Sequence, residues 1–275
     1  MKPLVSTDEL AQNPDWRVFD CRHDLAHPES GQAEYEKAHL PGALFAHLDH
    51  DLSAPMTGRN GRHPLPEMAD FVRFLEKKGI LPTDTIVCYD AGPGSYAARL
   101  WWMLRWAGHA QAAVLDGGFA KWVAEGRPVN AEAPLITGTK YKNKPERSRM
   151  VALATVERQL KRLALLDARA PARYRGEQEP IDPVAGRIPG AMNRFNTDNV
   201  TAAGVFKSPE ALRAEFEKAI SGKDPKTIVH YCGSGVAACH NALAMEVAGL
   251  SGSRVYIGSW SEWSAEPTRP ISRSV

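Results

Sequence analysis

The sequence predicts an α/β fold that occurs twice, as two tandem domains in which a mainly parallel sheet is flanked by helices. The first observation is that short β-rich runs alternate with helical patterns along the chain. A strand pattern at 85–89 precedes a helical pattern at 95–107, and a strand pattern at 227–231 precedes a helical pattern at 235–248. The second observation is that the two halves of the chain repeat each other.

Four short blocks of the first half recur in the same order in the second half. The paired blocks are 18–22 and 165–169, 39–43 and 187–191, 86–90 and 228–232, and 114–119 and 255–260. The separations are 147, 148, 142 and 141 residues, so the spacing drifts by only a few residues. Four ordered matches at a nearly constant spacing indicate an internal duplication. We therefore predict a first domain at 1–127, a linker at 128–148 and a second domain at 149–275.

Three further patterns predict individual elements. The linker assignment rests on a segment rich in proline, glycine and lysine after residue 127. Ser208 followed by Pro209 and Glu210 predicts the start of a helix, because a hydroxyl N-cap, a proline at the first position and an acid in the first turn all favour one. Three tryptophans of the 95–107 helix are predicted to pack in the core: Trp101, Trp102 and Trp106.

The composition excludes several classes of protein. Of the 275 residues 43% are hydrophobic and 24% charged, which is typical of a globular protein and not of a disordered or fibrous one. The net charge of +2 disfavours a nucleic-acid or membrane-surface partner. No apolar run approaches the roughly 18 residues of a transmembrane helix, and the first residues lack the apolar stretch of a signal peptide. We expect a cytoplasmic protein.

The four cysteines predict neither a zinc site nor a disulfide. They are Cys21, Cys88, Cys232 and Cys239, and no two have the CxxC spacing of a zinc or redox pair. In a reducing compartment they are expected to be free thiols. The sequence predicts no metal site.

The two copies differ at the turn between one repeated strand and the helix after it. The first copy has Asp90 there, and the second has Cys232 followed by small residues, namely Gly233, Ser234, Gly235, Val236, Ala237 and Ala238. Ligands of open α/β sheets bind at the carboxyl ends of strands. Small residues let backbone amides turn inward, and the helix N-terminus adds partial positive charge. We predict a reactive thiolate at Cys232. A buried structural thiol beside a glycine turn is the alternative.

The other residues of this loop disfavour two related chemistries. A phosphatase loop needs an arginine six residues after its cysteine, whereas this chain has Ala238, so phosphate-ester hydrolysis is disfavoured. Two histidines flank the loop, His230 and His240, but flanking position alone gives an acyl-transfer base little support. Cys239 is predicted to be a core thiol, because it lies about 10 Å further along the helix. The loop has small residues and no charged side chain. Such a loop favours a reaction in which the cysteine carries a soft, polarisable atom as a charged group during its transfer.

The chain resembles the two-domain rhodanese-type sulfurtransferases. The resemblance runs from residue 18 to 263 and rests on the loop at 232–238 with supporting blocks at 89–91, 101–103, 115–119, 173–176 and 258–263. In that family the first domain has lost the catalytic cysteine and carries an aspartate, as Asp90 does here. The resemblance implies two tandem rhodanese-like domains with catalysis in the second.

The resemblance also implies a ping-pong sulfur transfer. Cys232 takes a sulfane sulfur from a small-molecule donor, forms a persulfide, and passes the outer sulfur to a thiophilic acceptor. Cyanide, thiols and thioredoxin-like proteins are the acceptors considered. No cofactor is required. Residues Gly233 and Gly235 to Ala238 are implied to hold the donor and the charged persulfide through their amides.

The sulfur donor is implied by the style of the loop. The Cys-Gly-Ser-Gly-Val form is associated with 3-mercaptopyruvate, and in that branch a serine and a histidine move protons while an arginine grips the carboxylate. By position these are Ser234, His39 and Arg173. The alternatives are a turn-forming hydroxyl, a polar residue at a domain interface and a solvated loop arginine.

Three departures from the branch keep the donor open. Its second carboxylate-binding arginine falls near Ile181, the acid expected upstream of His39 falls near His27, and Arg187 stands where a histidine is usual. Thiosulfate therefore remains an alternative donor. A persulfide-relay protein that is loaded by a protein donor without rapid turnover is the alternative to an enzyme.

Overall fold

The computed structural model describes residues 1–274 and divides into two compact units. Unit 1 comprises 1–54, 66–147 and 202–206, and unit 2 comprises 55–65, 148–201 and the chain from 207 onward. Each unit is a parallel sheet flanked by helices, so the predicted fold class is confirmed. The unit boundaries add a detail that the repeat did not predict: 55–65 belongs to unit 2, and 202–206 to unit 1.

Unit 1 is a five-stranded parallel sheet with the strand order β1-β5-β4-β2-β3. Its strands are β1 (Leu4–Val5), β2 (Arg17–Asp20), β3 (Leu44–Phe45), β4 (Ile86–Tyr89) and β5 (Ala112–Leu115). Its helices are α1 (Thr7–Ala11), α2 (Ser30–Lys37), α3 (Met68–Lys77), α4 (Ser95–Trp106) and α5 (Gly118–Ala124). Every residue of β4 and β5 is buried, as expected for strands that are covered on both faces.

Unit 2 is a four-stranded parallel sheet with the strand order β7-β6-β8-β9. Its strands are β6 (Ala164–Asp167), β7 (Met192–Asn193), β8 (Ile228–Tyr231) and β9 (Arg254–Val255). Its helices are α6 (Leu153–Gln159), α7 (Pro171–Arg175), α8 (Pro209–Ala219), α9 (Val236–Val247) and α10 (Ser259–Trp263). Read from the opposite edge, its order matches β5-β4-β2-β3 of unit 1, so the sequence repeat is a repeat of topology.

The individual elements follow the sequence closely. α8 begins at Pro209, and Ser208 caps it by accepting the N–H of Ala211 at 3.2 Å. The tryptophans of α4 are in the core, and Trp101 and Trp102 are each only 1% exposed. None of the helices in residues 1–274 combines the length and the apolar character needed to cross a membrane.

The segment predicted as a linker is bound along unit 1 as far as residue 147. Tyr141 is buried and its hydroxyl lies 3.0 Å from Nδ1 of His109. The hydroxyl of Thr139 donates to the carbonyl of Ile80, and the N–H of Glu146 donates to the carbonyl of Trp106. These hydrogen bonds explain why a stretch without helix or strand keeps a defined course.

Candidate active site

Cys232 lies where β8 ends and the turn toward α9 begins. Only 3% of the surface of Cys232 is exposed to solvent. The backbone here is tied to the start of α10: the N–H of Cys232 donates to Oγ of Ser259 at 3.1 Å, and its carbonyl accepts the N–H of Trp260 at 2.9 Å. The carbonyl of Gly233 accepts the N–H of Ser261 at 2.9 Å. These bonds fix the position of the thiol at the carboxyl end of the sheet, as predicted.

Gly235 directs a backbone amide at the thiol. Its N–H donates to Sγ of Cys232 at 3.1 Å. The residue has a φ of +83°, and a Cβ at this position would come within 2.4 Å of the carbonyl oxygen of Ile257. Only glycine meets both conditions without strain. The N-terminus of α9, which Val236, Ala237 and Ala238 form, adds its partial positive charge to the same loop.

The corresponding loop of unit 1 holds an anion of its own. Oδ1 of Asp90 accepts the N–H groups of Gly92 and Gly94, each at 3.0 Å, and Oδ2 accepts those of Tyr96 and Ala97 at 2.9 and 3.3 Å. Burial raises the pKa of Asp90, while the four amides act in the opposite direction. Two N–H groups at each oxygen leave no place for a carboxyl proton, so the arrangement fits the ionised form.

Because the two units are copies of one fold, unit 2 has backbone amides equivalent to those that bind Asp90. When α4 and α9 are aligned at their first residues, Ser95 and Val236, Tyr96 and Ala97 correspond to Ala237 and Ala238, and the loop before α9 is one residue shorter than the loop before α4. These two residues lie in the first turn of α9, where backbone N–H groups have no partner within the helix. A charged group attached to Cys232 would find amides of the kind that hold the Asp90 carboxylate.

Two guanidinium groups lie over the loop at Gly233. A Cβ at this glycine would be 2.8 Å from Nη2 of Arg62 and 3.5 Å from Nη2 of Arg173. Arg173, which was predicted to bind a carboxylate, extends from α7. Arg62 was not predicted, and it supplies a second cation near the loop although Ile181 occupies the position where one was expected.

Buried carboxylates hold both guanidiniums in place. Nη2 of Arg173 lies 2.6 Å from Oε1 of Glu179 and 3.1 Å from Oδ2 of Asp182, and Arg62 pairs with Oδ1 of Asp182. Burial raises the pKa of Asp182, and the charge of Arg62 offsets only part of that effect. Burial also opposes ionisation of Glu179, but hydrogen bonds led by the one from Arg173 prevail and lower its pKa. Asp182 is therefore the more easily neutralised of the two.

The turn that carries Arg62 is pinned to the start of α10. Gly61 has a φ of +84°, and a Cβ there would lie 2.8 Å from the carbonyl oxygen of Gly258. The N–H of Arg62 donates to Oγ of Ser261 at 3.1 Å. The same helix start also holds the backbone of the Cys232 loop, so one rigid element positions both the thiol and Arg62.

The histidine beside Ser234 is His63 and not the predicted His39. Nδ1 of His63 lies 2.8 Å from Oγ of Ser234, and both residues are buried. The ring nitrogens of His39 lie 2.7 and 3.1 Å from the carbonyl oxygens of Tyr35 and Glu132, all within unit 1. Both ring nitrogens of His39 therefore face backbone carbonyls of unit 1, and a neutral ring can donate to only one of them. The structure thus places His63, and not His39, beside Ser234.

The histidine before the loop is unsuited to act as a general base. His230 is completely buried, and burial lowers its pKa to about 3. Neither of its ring nitrogens has a hydrogen-bond partner within the described chain. The flanking position that could have indicated an acyl-transfer site therefore belongs to a neutral core residue.

The match to known families settles what kind of protein this is. The model of the rhodanese-like domain matches twice, at residues 6–125 and 152–266. The chain belongs to the rhodanese family. A probable 3-mercaptopyruvate sulfurtransferase of Pseudomonas aeruginosa is 46% identical over 277 residues, covering 98% of this chain and 97% of the relative. The thiosulfate sulfurtransferase of Rattus norvegicus is 36% identical, covering 95% and 92%.

Solved structures of rhodanese-family proteins agree with this assignment. A 3-mercaptopyruvate sulfurtransferase from Leishmania major superposes with a TM-score of 0.87 at 30% identity, covering 98% of this chain and 75% of that one. The SseA protein of Escherichia coli, a 3-mercaptopyruvate sulfotransferase by its description, gives a TM-score of 0.82 at 27% identity, covering 94% and 99%. The predicted family and sulfurtransferase class are confirmed.

The structure shows what surrounds the three residues that depart from the branch pattern, namely Arg187, Ile181 and His27. Arg187 stacks on the ring of Tyr174 at 4.5 Å, and its Nη1 lies 3.0 Å from Oγ of Ser274. Ile181 is 47% exposed. Nδ1 of the exposed His27 lies 3.5 Å from Asp24. Arg187 thus fastens the C-terminal segment of this rhodanese, which accounts for the cation that sequence reasoning left without a role.

Proposed function

We propose that the chain transfers a sulfane sulfur from 3-mercaptopyruvate, by way of a persulfide on Cys232, to a thiophilic acceptor. The observation that carries the proposal is the meeting of two features at one loop: a thiol that accepts an amide N–H, and two guanidiniums over the adjacent glycine. The thiol serves the sulfur chemistry, and the guanidiniums suit the carboxylate of the donor. The name of the Pseudomonas aeruginosa relative supports the same donor.

In the first half-reaction the thiolate of Cys232 attacks the sulfur of 3-mercaptopyruvate. A sulfur–sulfur bond forms and the carbon–sulfur bond breaks, so its electron pair leaves with the carbon as the enolate of pyruvate. The enolate takes up one proton, and the thiol proton of the donor is lost. The amides at Gly235, Ala237 and Ala238 hold the charged persulfide, much as an oxyanion hole holds oxygen.

Ser234 and His63 form the proposed proton path. Their 2.8 Å separation allows a proton to pass between the imidazole and the hydroxyl. Ser234 belongs to the same loop as the nucleophile and follows Cys232 by two residues. This pair takes the proton from the donor thiol and returns one to the leaving enolate.

In the second half-reaction a nucleophile attacks the outer sulfur of the persulfide. The sulfur–sulfur bond breaks, its electron pair returns to Cys232 as the thiolate, and the acceptor keeps the sulfur. Cyanide gives thiocyanate, and a thiol gives its own persulfide. Thiols, including those of thioredoxin-like proteins, are the proposed cellular acceptors, and a cytoplasmic location stays a prediction.

Arg62 and Arg173 are the proposed ligands of the donor carboxylate. Asp182 bridges both in the absence of donor, so it must give up part of this pairing when the carboxylate binds. Burial raises the pKa of Asp182, so protonation of this carboxyl is the route by which it can release an arginine without leaving a buried unpaired charge.

Thiosulfate is the second candidate donor. Its charged sulfonate oxygens could occupy the same two guanidiniums, and several relatives are named thiosulfate sulfurtransferases. The test is to measure kcat/KM for both donors with cyanide as acceptor, using Cys232→Ser as the control. Higher kcat/KM with 3-mercaptopyruvate supports the proposal. Higher kcat/KM with thiosulfate contradicts the donor assignment, and activity that survives in the control contradicts the mechanism. Stoichiometric loading of Cys232 without turnover by either donor favours the persulfide-relay alternative.

A further inference from the structure

A group of histidines and carboxylates lies at the carboxyl edge of the unit 1 sheet, apart from the thiol chemistry. The loop after β2 carries His23 and Glu29, and the loop after β3 carries His47, Asp49 and His50. All five residues belong to unit 1. Their ring nitrogens and carboxylate oxygens form two overlapping groups, each with all ligand atoms within 4.8 Å of one another.

One of these groups has distances that suit a tetrahedral metal ion. Oε1 of Glu29 lies 3.6 Å from Nε2 of His47 and 3.4 Å from Nε2 of His50. Zinc binds histidine nitrogen and carboxylate oxygen at about 2.0–2.2 Å, which places tetrahedral ligands roughly 3.3–3.6 Å apart. Both histidine nitrogens are thus within reach of an ion that Glu29 binds, and all three ligand atoms lie within 4.8 Å of one another.

His47 provides an independent indication of a missing partner. Its side chain is 3% exposed, and its Nε2 makes no hydrogen bond to any residue between 1 and 274. A buried polar atom without a hydrogen bond costs free energy, and such atoms are uncommon in folded proteins. This nitrogen is one of the two that approach Glu29, so the unsatisfied atom belongs to the group with metal-like spacing.

We propose that unit 1 binds a divalent transition-metal ion of the zinc class through Oε1 of Glu29, Nε2 of His47 and Nε2 of His50. Two imidazoles and one carboxylate are a ligand set that suits zinc, cobalt(II) and nickel(II). Three protein ligands leave at least one coordination position for water or another small molecule.

The other ring nitrogen of His47 sets a condition on binding. Nδ1 accepts the N–H of Asp49 at 3.1 Å, so the neutral ring carries its proton on Nε2. When the ion binds through Nε2, that proton must move to Nδ1. Nδ1 can then no longer accept the N–H of Asp49, so this hydrogen bond is lost. The carboxylate of Asp49 groups with His47 and His23 within 4.8 Å, so it is close enough to accept the relocated proton after a small rotation. This exchange lowers the affinity, and we expect a micromolar and reversible site.

The surroundings favour a cation and leave room beside it. His47 and His50 line a cavity of about 380 Å³ together with Asp51, Tyr35 and Lys78. The carboxylates of Glu29, Asp49 and Asp51 outnumber the one positive charge that Lys78 brings to this lining, so with neutral histidines the region carries a net negative charge, which attracts a divalent ion.

The experiment measures metal binding directly and does not depend on sulfur transfer. The full chain, without a histidine tag and with Cys232→Ser to remove the reactive thiol, is treated with a chelator and titrated with zinc by calorimetry and with cobalt(II) by visible absorption. We expect one ion per chain. His50→Ala and Glu29→Gln should each raise the zinc Kd at least about tenfold, because each removes a ligand. Both residues are exposed, so these variants should fold normally.

His27→Ala is the matched control. His27 is an exposed histidine of the same unit and also lies beside a carboxylate, that of Asp24. Its removal should leave the zinc Kd unchanged. Absence of saturable binding overturns the proposal, as does a Kd that His50→Ala leaves unchanged or that His27→Ala raises equally. Binding that depends on His23 but not on Glu29 or His50 also overturns this ligand set.

Discussion

The two strand-to-helix loops of this rhodanese end in the same kind of glycine, but they differ in length by one residue and in the side chain at the strand end. Both follow a buried central strand and precede a helix of 12 residues. Both have a left-handed glycine before the helix, Gly94 with a φ of +89° and Gly235 with a φ of +83°. In each loop this glycine donates its N–H to the residue at the strand end, to Asp90 at 3.0 Å and to Cys232 at 3.1 Å.

The difference lies in how much of the loop each side chain fills. The carboxylate of Asp90 reaches four amides, two with each oxygen. The sulfur of Cys232 accepts one N–H from its loop, that of Gly235. A persulfide adds one more charged atom, and the remaining amides are where that atom can be held. The Asp90 carboxylate fills the amides of its loop in unit 1, whereas on the proposed function the amides of the Cys232 loop are left to hold the persulfide.

A second carboxylate refines the comparison. Asp90 lies inside its loop, whereas Asp182 lies beside the second loop and pairs with the guanidiniums over Gly233. The first carboxylate is held by backbone that cannot be displaced without unfolding the loop. The second is held by side chains whose partner a substrate can replace.

The largest expected effect is the loss of the nucleophile. Cys232→Ser should lower the rate of sulfur transfer by at least about 10³-fold, because a hydroxyl cannot form the persulfide. Cys239→Ser is the matched control, since Cys239 is a fully buried thiol of α9, the helix that follows the loop, and donates to the carbonyl of Gly235. Steady-state turnover with cyanide checks both. Equal losses in the two variants would contradict the assignment of the nucleophile.

The next effect distinguishes the two histidines. His63→Asn should lower kcat with 3-mercaptopyruvate about 10²-fold, because it removes the proton acceptor of Ser234. His39→Asn should lower stability, since it removes a buried ring that lies between two backbone carbonyls, and leave kcat largely unchanged. The measurement is kcat together with the melting temperature of each variant. A large fall in kcat for His39→Asn alone would restore the role that the sequence predicted.

The same glycine substitution in both loops tests the comparison itself. Gly235→Ala should lower kcat/KM roughly 10- to 100-fold, because strain at positive φ and the contact with Ile257 turn the amide away from the sulfur. Gly94→Ala imposes similar strain on the Asp90 loop, so it should reduce stability by about 1–2 kcal/mol with little effect on kcat/KM. Chemical denaturation and steady-state kinetics separate the two outcomes. Unchanged kinetics in Gly235→Ala would show that its amide does not serve the sulfur.

A smaller effect is expected from the guanidinium that the sequence did not predict. Arg62→Ala should raise KM for 3-mercaptopyruvate about tenfold, because one charged hydrogen bond to the carboxylate is lost. The rate at which cyanide discharges a preformed persulfide should change little. Arg59→Ala is the control, as Arg59 is an exposed arginine of the same loop. An equal effect of Arg62→Ala on both half-reactions would remove its proposed role.

The smallest effect concerns the carboxylate that bridges the guanidiniums. Asp182→Asn should lower KM for 3-mercaptopyruvate a few-fold at neutral pH, because the substrate no longer competes with a charged side chain. The pKa of Asp182 is raised, so acidification neutralises the wild-type carboxyl first and frees the arginines. The KM values of wild type and variant should therefore converge as the pH falls. Glu177→Gln, at the exposed Arg175 pair, should have no effect. A KM difference that is constant with pH would contradict this role of Asp182.

The sequence predicted those features that short neighbouring segments determine. The repeated blocks predicted two α/β copies, and the glycine-rich turn predicted the position of Cys232, because strand, turn and helix are contiguous there. The cap of α8 followed from Ser208 and Pro209 for the same reason.

The rest of the site depends on contacts between distant segments. Ser234 and His63 are 171 residues apart, and Arg62 and Asp182 are 120 apart. The loop that carries Arg62 and His63 has no helix or strand periodicity, so no local pattern pointed to it; a basic pair before a proline was the only signal. His39 was implied by its position in the motif of the resembling branch, yet its ring faces backbone carbonyls of its own unit.

The most direct test of the account is to locate the transferred sulfur. The wild-type chain is mixed with 3-mercaptopyruvate without an acceptor, thiols are blocked, and the peptides are analysed by mass spectrometry. The account predicts one added sulfur on the peptide containing Cys232, and its loss on addition of cyanide. Added sulfur on Cys21, Cys88 or Cys239 while Cys232 stays unmodified would contradict the claim that the loop after β8 carries out the sulfur transfer.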